Sequence, residues 1–329
     1  MTAGRSFFQG DVILQLGFLF PGQGSQFVGM GKELCDAFQV ARKTYEEADA
    51  ILGFSISDVS FNGPEDGLRE TRNTQPAIFV HSVAAFRVLS ESGVKATAAA
   101  GHSLGEYSAL VAAGALSFED GLTLVQKRGA LMHQAGLERP GTMAAVLGLP
   151  AGVLEDVLRE ASKHGIIRAA NLNSPNQLVV SGEVPAVEEC MRLAREKGAA
   201  RAVRLPVGGA FHSPLMESAS RGLEEVLKRV QVGKPGFPVV ANYTAEEETE
   251  PEDIKQNLAR QVLGAVRWEE SMRRMLSGGV KHFVEVGPGN VLKGLMRGID
   301  RQASVASAGS PADVEAAVAV LTQSSSDAR

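Results

Sequence analysis

The chain has 329 residues, of which 44% are apolar and 22% are charged, so it is long enough to bury a full core. Its net charge of -5 comes from interspersed charges, and no basic stretch of the kind that neutralises phosphate backbones is present, which argues against nucleic acid as a partner. Cys35 and Cys190 are the two cysteines, with no Cys or His at metal-ligand spacing beside them; the sequence predicts no disulfide framework and no metal site, and it favours a reducing compartment.

The apolar run from Val12 to Phe20 is the one segment that imitates a secretory signal. The leader before it carries Arg5 and Asp11, and no small-residue cleavage pattern follows, so we interpret the run as a buried strand. No apolar stretch approaches the roughly 20 residues that span a bilayer. We therefore expect no membrane partner and a cytoplasmic protein, or one in an organelle matrix after loss of a leader that this sequence does not show.

The first part of the chain alternates short apolar runs with longer helical patterns, which is typical of an α/β fold. A strand leads straight into a helix around residue 103. The predicted elements are the strand Leu16 to Phe20, a helix from about Lys32 to Leu52, a helix that starts at Pro76 and continues to Ser92, the strand Ala98 to Gly101, a helix from Leu104, and a helix capped by Ser117 that ends near Leu137.

Residues 139–206 follow a different pattern. The order strand, helix, strand, strand, helix, strand predicts an inserted ferredoxin-like α+β subdomain. Its elements are the strand Met143 to Leu147, the helix Leu154 to His164, the strands Ile167 to Asn171 and Gln177 to Ser181, the helix Ala186 to Lys197, and the strand Ala202 to Leu205. Pro175 and Asn176 supply the turn chemistry between the two middle strands.

After this insertion the α/β pattern returns. We predict a helix from Pro214 to Val230, a strand from Val239 to Asn242, two further helices, a strand from His282 to Val286, and helices around Val291 and Val314. The predicted fold is thus a large α/β-hydrolase-like domain with a mainly parallel sheet, made of residues 12–138 and 207–322, with the subdomain inserted and a flexible tail at 323–329.

Gly101-His102-Ser103-Leu104-Gly105 fits the G-x-S-x-G nucleophile elbow, a tight turn between strand and helix that needs glycine on both sides of the serine. The strand before it and the helix after it supply the expected context. The helix N-terminus favours negative charge that develops near Ser103, and the N–H of Leu104 would be one oxyanion donor. The alternative is a chance loop.

A serine nucleophile needs a base within hydrogen-bond reach. His102 adjoins the serine, but neighbouring side chains on a tight turn diverge. The residues His81, His133, His164 and His282 lie inside helical or strand patterns, where a core or solvated role is typical. His212 stands in a loop before a helix and is our candidate base; the alternative is a helix-capping loop in which Ser213 is the N-cap.

The loop Pro21 to Gln26 follows the first strand, where its glycines let a ligand approach the backbone. The glycine spacing misses G-x-G-x-x-G, and the Gly31-Lys32 pair lacks the glycine and the Ser or Thr of a phosphate loop. A second oxyanion loop and a plain strand-to-helix turn both remain open. For Arg128, inside a predicted helix, the residues alone favour a solvated or ion-paired surface position.

Six ordered blocks together resemble the malonyl-CoA:acyl carrier protein transacylases of type II fatty-acid synthesis, over about residues 14–308. The blocks are Pro-Gly-Gln-Gly-Ser-Gln at 21–26, Gly-His-Ser-Leu-Gly-Glu at 101–106, Arg-Gly at 128–129, Asn-Leu-Asn-Ser-Pro at 171–175, Ala-Phe-His-Ser-Pro-Leu-Met at 210–216 and Glu-Val-Gly-Pro-Gly at 285–289. Six blocks in order are far more specific than any one of them.

The resemblance implies a role for each matching residue. Ser103 becomes the nucleophile, His212 the base, and Arg128 the clamp on the malonyl carboxylate. The main-chain N–H groups of Gln23 and Leu104 become the oxyanion hole, and the main-chain carbonyl of Gln261 orients the histidine. The run that follows Gln261, Val-Leu-Gly-Ala at 262–265, departs from the more common pattern with asparagine and proline.

The resemblance also implies the substrate and the partner. Malonyl-CoA donates the acyl group, holo acyl carrier protein accepts it, no bound cofactor is needed, and the protein acts as a monomer. The predicted lining of the substrate pocket is His102, Met132, Asn173 and Phe211. Phe211 and Leu104 resemble the residues of enzymes that select malonyl over methylmalonyl.

Three alternatives remain open on the sequence. The elbow alone does not separate acyl transfer from hydrolysis by a serine esterase or thioesterase. The acceptor carrier could serve polyketide rather than fatty-acid synthesis, and an inactive carrier-binding subunit would keep the same fold. Lys197, Arg201 and Arg204 are candidates for docking an acidic carrier, or else a solvated face.

Overall fold

A computed structural model describes residues 15–327 of the chain. The first part of the predicted strand Val12 to Phe20 therefore lies outside the described residues. In chain order the strands are β1 (Leu16–Phe20), β2 (Ala98–Gly101), β3 (Thr142–Leu147), β4 (Ile167–Ser174), β5 (Gln177–Gly182), β6 (Arg201–Arg204), β7 (Val239–Val240), β8 (Glu247–Glu248), β9 (His282–Glu285) and β10 (Ser304–Ser307).

The large domain is built on one sheet with the strand order β10-β9-β1-β2-β7-β8. Neighbouring strands are parallel except at β8, which pairs antiparallel with β7. All five residues of β1 are buried, as expected for a central strand covered on both faces. The predicted mainly parallel sheet is confirmed.

Two edge strands, β8 and β10, have no counterpart among the predicted elements. β8 consists of two glutamates and β10 reads Ser-Val-Ala-Ser, so neither carries the apolar run that predicts a strand. Both lie at the ends of the sheet, where one side of the strand is unpaired. Their pairing comes from the neighbouring strand and not from their own composition.

The inserted subdomain has the strand order β4-β5-β3-β6, with every neighbouring pair antiparallel. Numbered within the subdomain this order is 2-3-1-4, which is the ferredoxin-like arrangement predicted from the sequence. It has an apolar core of its own, which includes Val146, Ile167 and Val180. All of its strands lie within residues 139–206, although the limits of the domains stay a prediction.

The helices surround the large sheet and cover one face of the small one. They are α1 (Lys32–Ala37), α2 (Gln39–Leu52), α3 (Ile56–Asn62), α4 (Glu65–Arg69), α5 (Thr71–Glu91), α6 (Gly105–Ala112), α7 (Phe118–Glu138), α8 (Ala151–Ala161), α9 (Val184–Glu196), α10 (Glu217–Leu227), α11 (Pro251–Gln261), α12 (Trp268–Ser277), α13 (Val291–Ile299) and α14 (Pro311–Asp327), with 3₁₀ turns at Ser162–His164 and Pro214–Met216. None of these helices is long and apolar enough to cross a membrane.

Two of the predicted helices differ clearly from the structure. The stretch predicted as one helix over residues 32–52 is two helices, because Phe38 adopts an extended conformation between them. Helix α5 begins at Thr71 and not at Pro76, so Pro76 lies inside the helix. There it removes one main-chain hydrogen bond and crowds the carbonyl of the residue four before it, but the helix is buried along most of its length and forms in spite of this cost. Helix α14 extends to Asp327, into the predicted tail, whose flexibility stays a prediction.

The topology brings several loops to one place. The loops after β1, β2 and β7 leave the same edge of the sheet, because parallel strands share their carboxyl ends. The subdomain is tied to this edge by main-chain hydrogen bonds from Leu172 N–H to the Val266 carbonyl (2.9 Å) and from Val266 N–H to the Ala170 carbonyl (2.8 Å). A cleft between the two domains is the result.

Candidate active site

In the turn that carries Ser103, main-chain atoms pack directly against other main-chain atoms. Ser103 has a φ of 53°, in the left-handed region that residues with a side chain rarely adopt. A Cβ added to Gly101 would lie 1.9 Å from the Gly105 carbonyl carbon, and one added to Gly105 would lie 2.1 Å from the Phe20 carbonyl oxygen. The glycine requirement predicted for the elbow is therefore present on both sides of the serine.

Asn242, two residues after the end of β7, holds this turn from the side of the neighbouring strand. Its side-chain oxygen accepts from the Ser103 N–H (2.6 Å), and its amide group donates to the Gly101 carbonyl (2.6 Å). Its own N–H donates to Oε2 of Glu106 (2.8 Å). Sequence reasoning placed Asn242 only at a strand end. An asparagine at the carboxyl end of a predicted strand was the sequence signal that could have identified it.

His212 is the histidine that reaches the serine. Its Nε2 lies 2.8 Å from Ser103 Oγ, and its Nδ1 lies 2.8 Å from the Gln261 carbonyl and 3.2 Å from the Gly264 carbonyl. Because carbonyl oxygens only accept, Nδ1 carries the proton and Nε2 presents its lone pair to the hydroxyl. Ser213 caps the following turn, since its hydroxyl accepts a hydrogen bond from the Leu215 N–H, as in the alternative interpretation of this loop. His212 contacts Ser103 in addition.

His102 turns away from the serine, as expected for neighbours on a tight turn. Its Nε2 lies 2.9 Å from Asn173 Oδ1, and its ring lies against Trp268 at 5.4 Å between centroids. Among the other histidines, His81 is fully buried and its Nε2 lies 3.1 Å from the Gly309 carbonyl. Neither ring is placed to take a proton from Ser103.

The environment keeps His212 uncharged. Burial, and next to it the positive charge of Arg128, lowers the pKa of His212 to about 3. Burial also lowers the pKa of His102. A neutral imidazole with a free lone pair at neutral pH is the form that a general base requires.

Arg128, on α7, is 1% exposed, so the surface position favoured by the residues alone was wrong. Its Nη1 donates to Gln75 Oε1 (2.7 Å), and its Nη2 donates to Ser103 Oγ (3.0 Å) and to Gln261 Oε1 (2.9 Å). All three acceptors are neutral. Within residues 15–327 it forms no ion pair, and its Nε has no hydrogen-bond partner.

A cavity of about 80 Å³ opens over Ser103 between the two domains. Of the predicted pocket residues, His102, Met132 and Phe211 line the cavity. Asn173 does not line it; its Oδ1 lies 2.9 Å from Nε2 of His102. Gln75 and Asn171 line the cavity without having been predicted. Its full lining is Gln23, Gln75, His102, Ser103, Leu104, Arg128, Met132, Met143, Asn171, Leu205, Val207, Phe211 and His212.

Two main-chain donors stand beside the serine. Gln23 and Leu104 both line the cavity, and neither N–H donates a hydrogen bond to any other described residue. Leu104 lies at the N-terminus of α6, where main-chain N–H groups have no partner inside the helix. Such a pair can bind an oxygen that becomes negative when Ser103 attacks a carbonyl carbon.

Comparison with known proteins places the chain in a family. The acyl transferase domain model matches residues 17–324. The chain belongs to the acyl transferase domain family. It is 43% identical over 315 residues to the malonyl CoA-acyl carrier protein transacylase of Bacillus subtilis, with 95% of this chain and 99% of that protein covered. The resemblance seen in the sequence is thereby confirmed.

Solved structures of the family share the fold. An acyl-carrier-protein S-malonyltransferase from Burkholderia pseudomallei matches with a TM-score of 0.90 and 42% identity, over 93% of this chain and 100% of that one. A malonyl-transacylase solved in complex with its type II PKS acyl-carrier protein matches with a TM-score of 0.91 and 39% identity, over 93% and 99%. Both the large domain and the inserted subdomain are thus typical of these acyl transferases.

The close contact between Gly105 and Phe20 of β1 predicts that one methyl group added at Gly105 destabilises the fold. Gly105→Ala should lower the free energy of unfolding by about 2 kcal/mol or more, because the new Cβ meets main chain that has no room to move. Urea denaturation measures the change. Gly294→Ala, in helix α13 with no atom within 4 Å of the added Cβ, is the matched control and should be neutral or stabilising by roughly 0.5–1 kcal/mol. Equal effects of the two changes would contradict the packing described here.

The lowered pKa of His212 predicts how the serine responds to acid. A histidine with an ordinary pKa loses its base form below about pH 6.5, whereas a folded-state value of about 3 keeps it neutral far below that. Modification of Ser103 by a neutral sulfonyl fluoride should therefore keep its rate from pH 8 down to about pH 5.

The control for this experiment is a measurement of whether the protein remains folded at each pH. Since the unfolded chain takes up a proton on this histidine near pH 6.5 and the folded chain does not, stability falls as the pH drops. Circular dichroism at each pH must show that the protein stays folded. A rate that falls with a midpoint near pH 6.5 in folded protein would show that the histidine is not held neutral by its surroundings.

Proposed function

We propose that the protein transfers a malonyl group from malonyl-CoA to the phosphopantetheine thiol of acyl carrier protein through a malonyl-serine intermediate. The observation that carries this proposal is the buried guanidinium of Arg128, 3.0 Å from Ser103 Oγ and without an acidic partner among the described residues. The names of the relatives point to the same donor and acceptor.

The proposal explains why a cation is buried beside a serine. A buried charge is costly unless it is paired, and the planar guanidinium binds a carboxylate through two parallel hydrogen bonds. The free carboxylate of a malonyl thioester supplies that pair. One methylene group separates it from the carbonyl carbon that Ser103 attacks. An acetyl group would leave Arg128 unpaired.

The first half of the reaction uses the groups already in contact. His212 Nε2 takes the Ser103 hydroxyl proton as Oγ attacks the thioester carbon, and the carbonyl oxygen becomes an anion held by the N–H groups of Gln23 and Leu104. The carbon–sulfur bond then breaks, and His212 returns the proton to the coenzyme A thiolate. In the second half the carrier thiol gives its proton to His212 and its sulfur attacks the ester carbonyl. The bond between that carbon and Ser103 Oγ then breaks, and His212 returns the proton to Oγ. Both halves are acyl transfers, so the chemistry calls for no redox or metal cofactor.

The alternatives are less well supported. A general esterase has no use for an unpaired cation at its nucleophile, and an inactive subunit has no reason to keep Ser103, His212 and Arg128 in hydrogen-bond contact. Supply of fatty-acid chain elongation is the proposed pathway role, although one relative serves a type II PKS carrier. The monomeric state, the cytoplasmic location and carrier docking at the exposed residues Lys197, Arg201 and Arg204 stay predictions.

The intermediate can be observed directly. On mixing with malonyl-CoA, intact-mass analysis should show one malonyl adduct on the wild-type protein and none on Ser103→Ala, because the adduct is an ester of that hydroxyl. The wild-type adduct should persist in buffer and disappear when holo carrier protein is added. Rapid loss of the adduct in buffer alone would indicate hydrolysis and favour the esterase.

Arg128→Ala tests the clamp. We expect kcat/KM for malonyl-CoA to fall by about tenfold to a hundredfold, the size of one charge-assisted interaction, while the value for acetyl-CoA falls much less or rises. Steady-state assays with both donors and one carrier protein measure this. Lys127→Ala removes a positive charge from the exposed side of the same helix and should change neither value. Equal losses with both donors would argue against a carboxylate clamp.

A further inference from the structure

The side chain of Gln261 lies at the centre of the site although it does not line the cavity. Gln261 ends helix α11 and is fully buried. Its Oε1 accepts from Arg128 Nη2 (2.9 Å), and its Nε2 donates to the Ser103 carbonyl and to Glu106 Oε2, both at 2.9 Å. Its main-chain carbonyl, by contrast, accepts from His212 Nδ1. One residue therefore contacts the nucleophile, the base and the arginine through separate atoms.

The hydrogen bonds leave only one orientation for this amide. The main-chain carbonyl of Ser103 can only accept, so the NH2 group must face it, and the amide oxygen must face the guanidinium, which can only donate. Glu106 is also fully buried, and its Oε2 takes a second hydrogen bond from the Asn242 N–H. The amide is thus held from both ends.

The chemical character of the groups around Arg128 matters as much as their positions. Gln75 on Nη1 and Gln261 on Nη2 are both neutral amides. They hold the plane of the guanidinium without forming an ion pair with it. A carboxylate in the place of either amide would pair with the guanidinium charge and compete with a carboxylate on the substrate.

We propose that the Gln261 side chain is a positioning residue that holds Arg128 in place for the carboxylate of the acyl group, and that its neutral amide determines the preference for malonyl over acetyl. This inference rests on the proposed function. It is separate from the contact between the Gln261 carbonyl and His212, because that contact belongs to the main chain and survives any substitution of the side chain.

The isosteric change Gln261→Glu tests it. The new carboxylate should pair with Arg128, so that the ratio of kcat/KM for malonyl-CoA to kcat/KM for acetyl-CoA falls by at least about tenfold. A carboxylate cannot donate to the Ser103 carbonyl, so modification of Ser103 by a neutral sulfonyl fluoride measures separately what the loss of that hydrogen bond does to the nucleophile. Its rate should fall no more than kcat/KM for acetyl-CoA does. Gln256→Glu makes the same change on the exposed side of the same helix and should alter none of the three rates.

A second variant covers the case in which Gln261→Glu does not fold, since it places a carboxylate beside Glu106. Gln261→Met keeps the length of the side chain, removes all three of its hydrogen bonds, and should again lower the ratio of malonyl to acetyl kcat/KM by about tenfold. A ratio equal to that of wild type in the folded variant, or equal losses with both donors and with the sulfonyl fluoride, would overturn the inference.

The same data distinguish this inference from the proposed function. Wild-type protein that shows no preference for malonyl-CoA and no malonyl adduct would overturn the function itself. Wild-type protein with a strong preference that Gln261→Glu and Gln261→Met leave unchanged would overturn only the role of Gln261.

Discussion

The site depends on the close approach of the Ser103 turn to strand β1. The main chain of this turn touches the main chain of Phe20 at a separation that no Cβ could enter, and Ser103 itself has a positive φ. Strained turns of this kind persist only where the surroundings hold them. Here two buried amides, Asn242 and Gln261, hydrogen-bond to the Ser103 N–H and to its carbonyl. The hydroxyl is thereby presented at the mouth of the cavity with little freedom to move.

Buried charge is the second constraint on the site. Arg128 is surrounded by neutral acceptors, and Glu106 lies close enough that its charge influences the pKa of the arginine. Burial raises the pKa of Glu106 to about 7, against the stabilising hydrogen bonds from Asn242 and Gln261. Burial also raises the pKa of the nearby Glu248 well above its ordinary value, and the charge of Glu106 adds to this. The neutrality of His212 itself comes from its burial and from the positive charge of Arg128.

The inserted subdomain has a direct part in the site. Met143 on β3, Asn171 on β4 and the segment with Leu205 after β6 form the wall of the cavity opposite Ser103. The main-chain hydrogen bonds of Val266 with Leu172 and Ala170 attach this wall to the large domain. An acyl group on Ser103 is therefore enclosed by both domains, and the two can exclude water from the ester only together.

The sequence by itself determined the elbow around Ser103, the order of most elements and the ferredoxin-like insertion, because each rests on local requirements. Glycines two residues before and after a serine, or apolar runs at regular spacing, act over a few residues of chain. The two edge strands and the start of α5 escaped this reasoning, since pairing and burial by distant residues outweighed their own composition.

Only the tertiary structure decided how the chemical groups meet. Ser103 and His212 are 109 residues apart in the chain, and Gln261 is 158 residues from Ser103, so no local pattern could show that they touch. The same holds for Arg128. The sequence of its helix is typical of a partly exposed helix, and only the structure shows that Gln75 of α5 and Gln261 of α11 contact the guanidinium. The burial of a charge and the neutrality of its partners are properties of packing, and packing joins residues that the sequence keeps far apart.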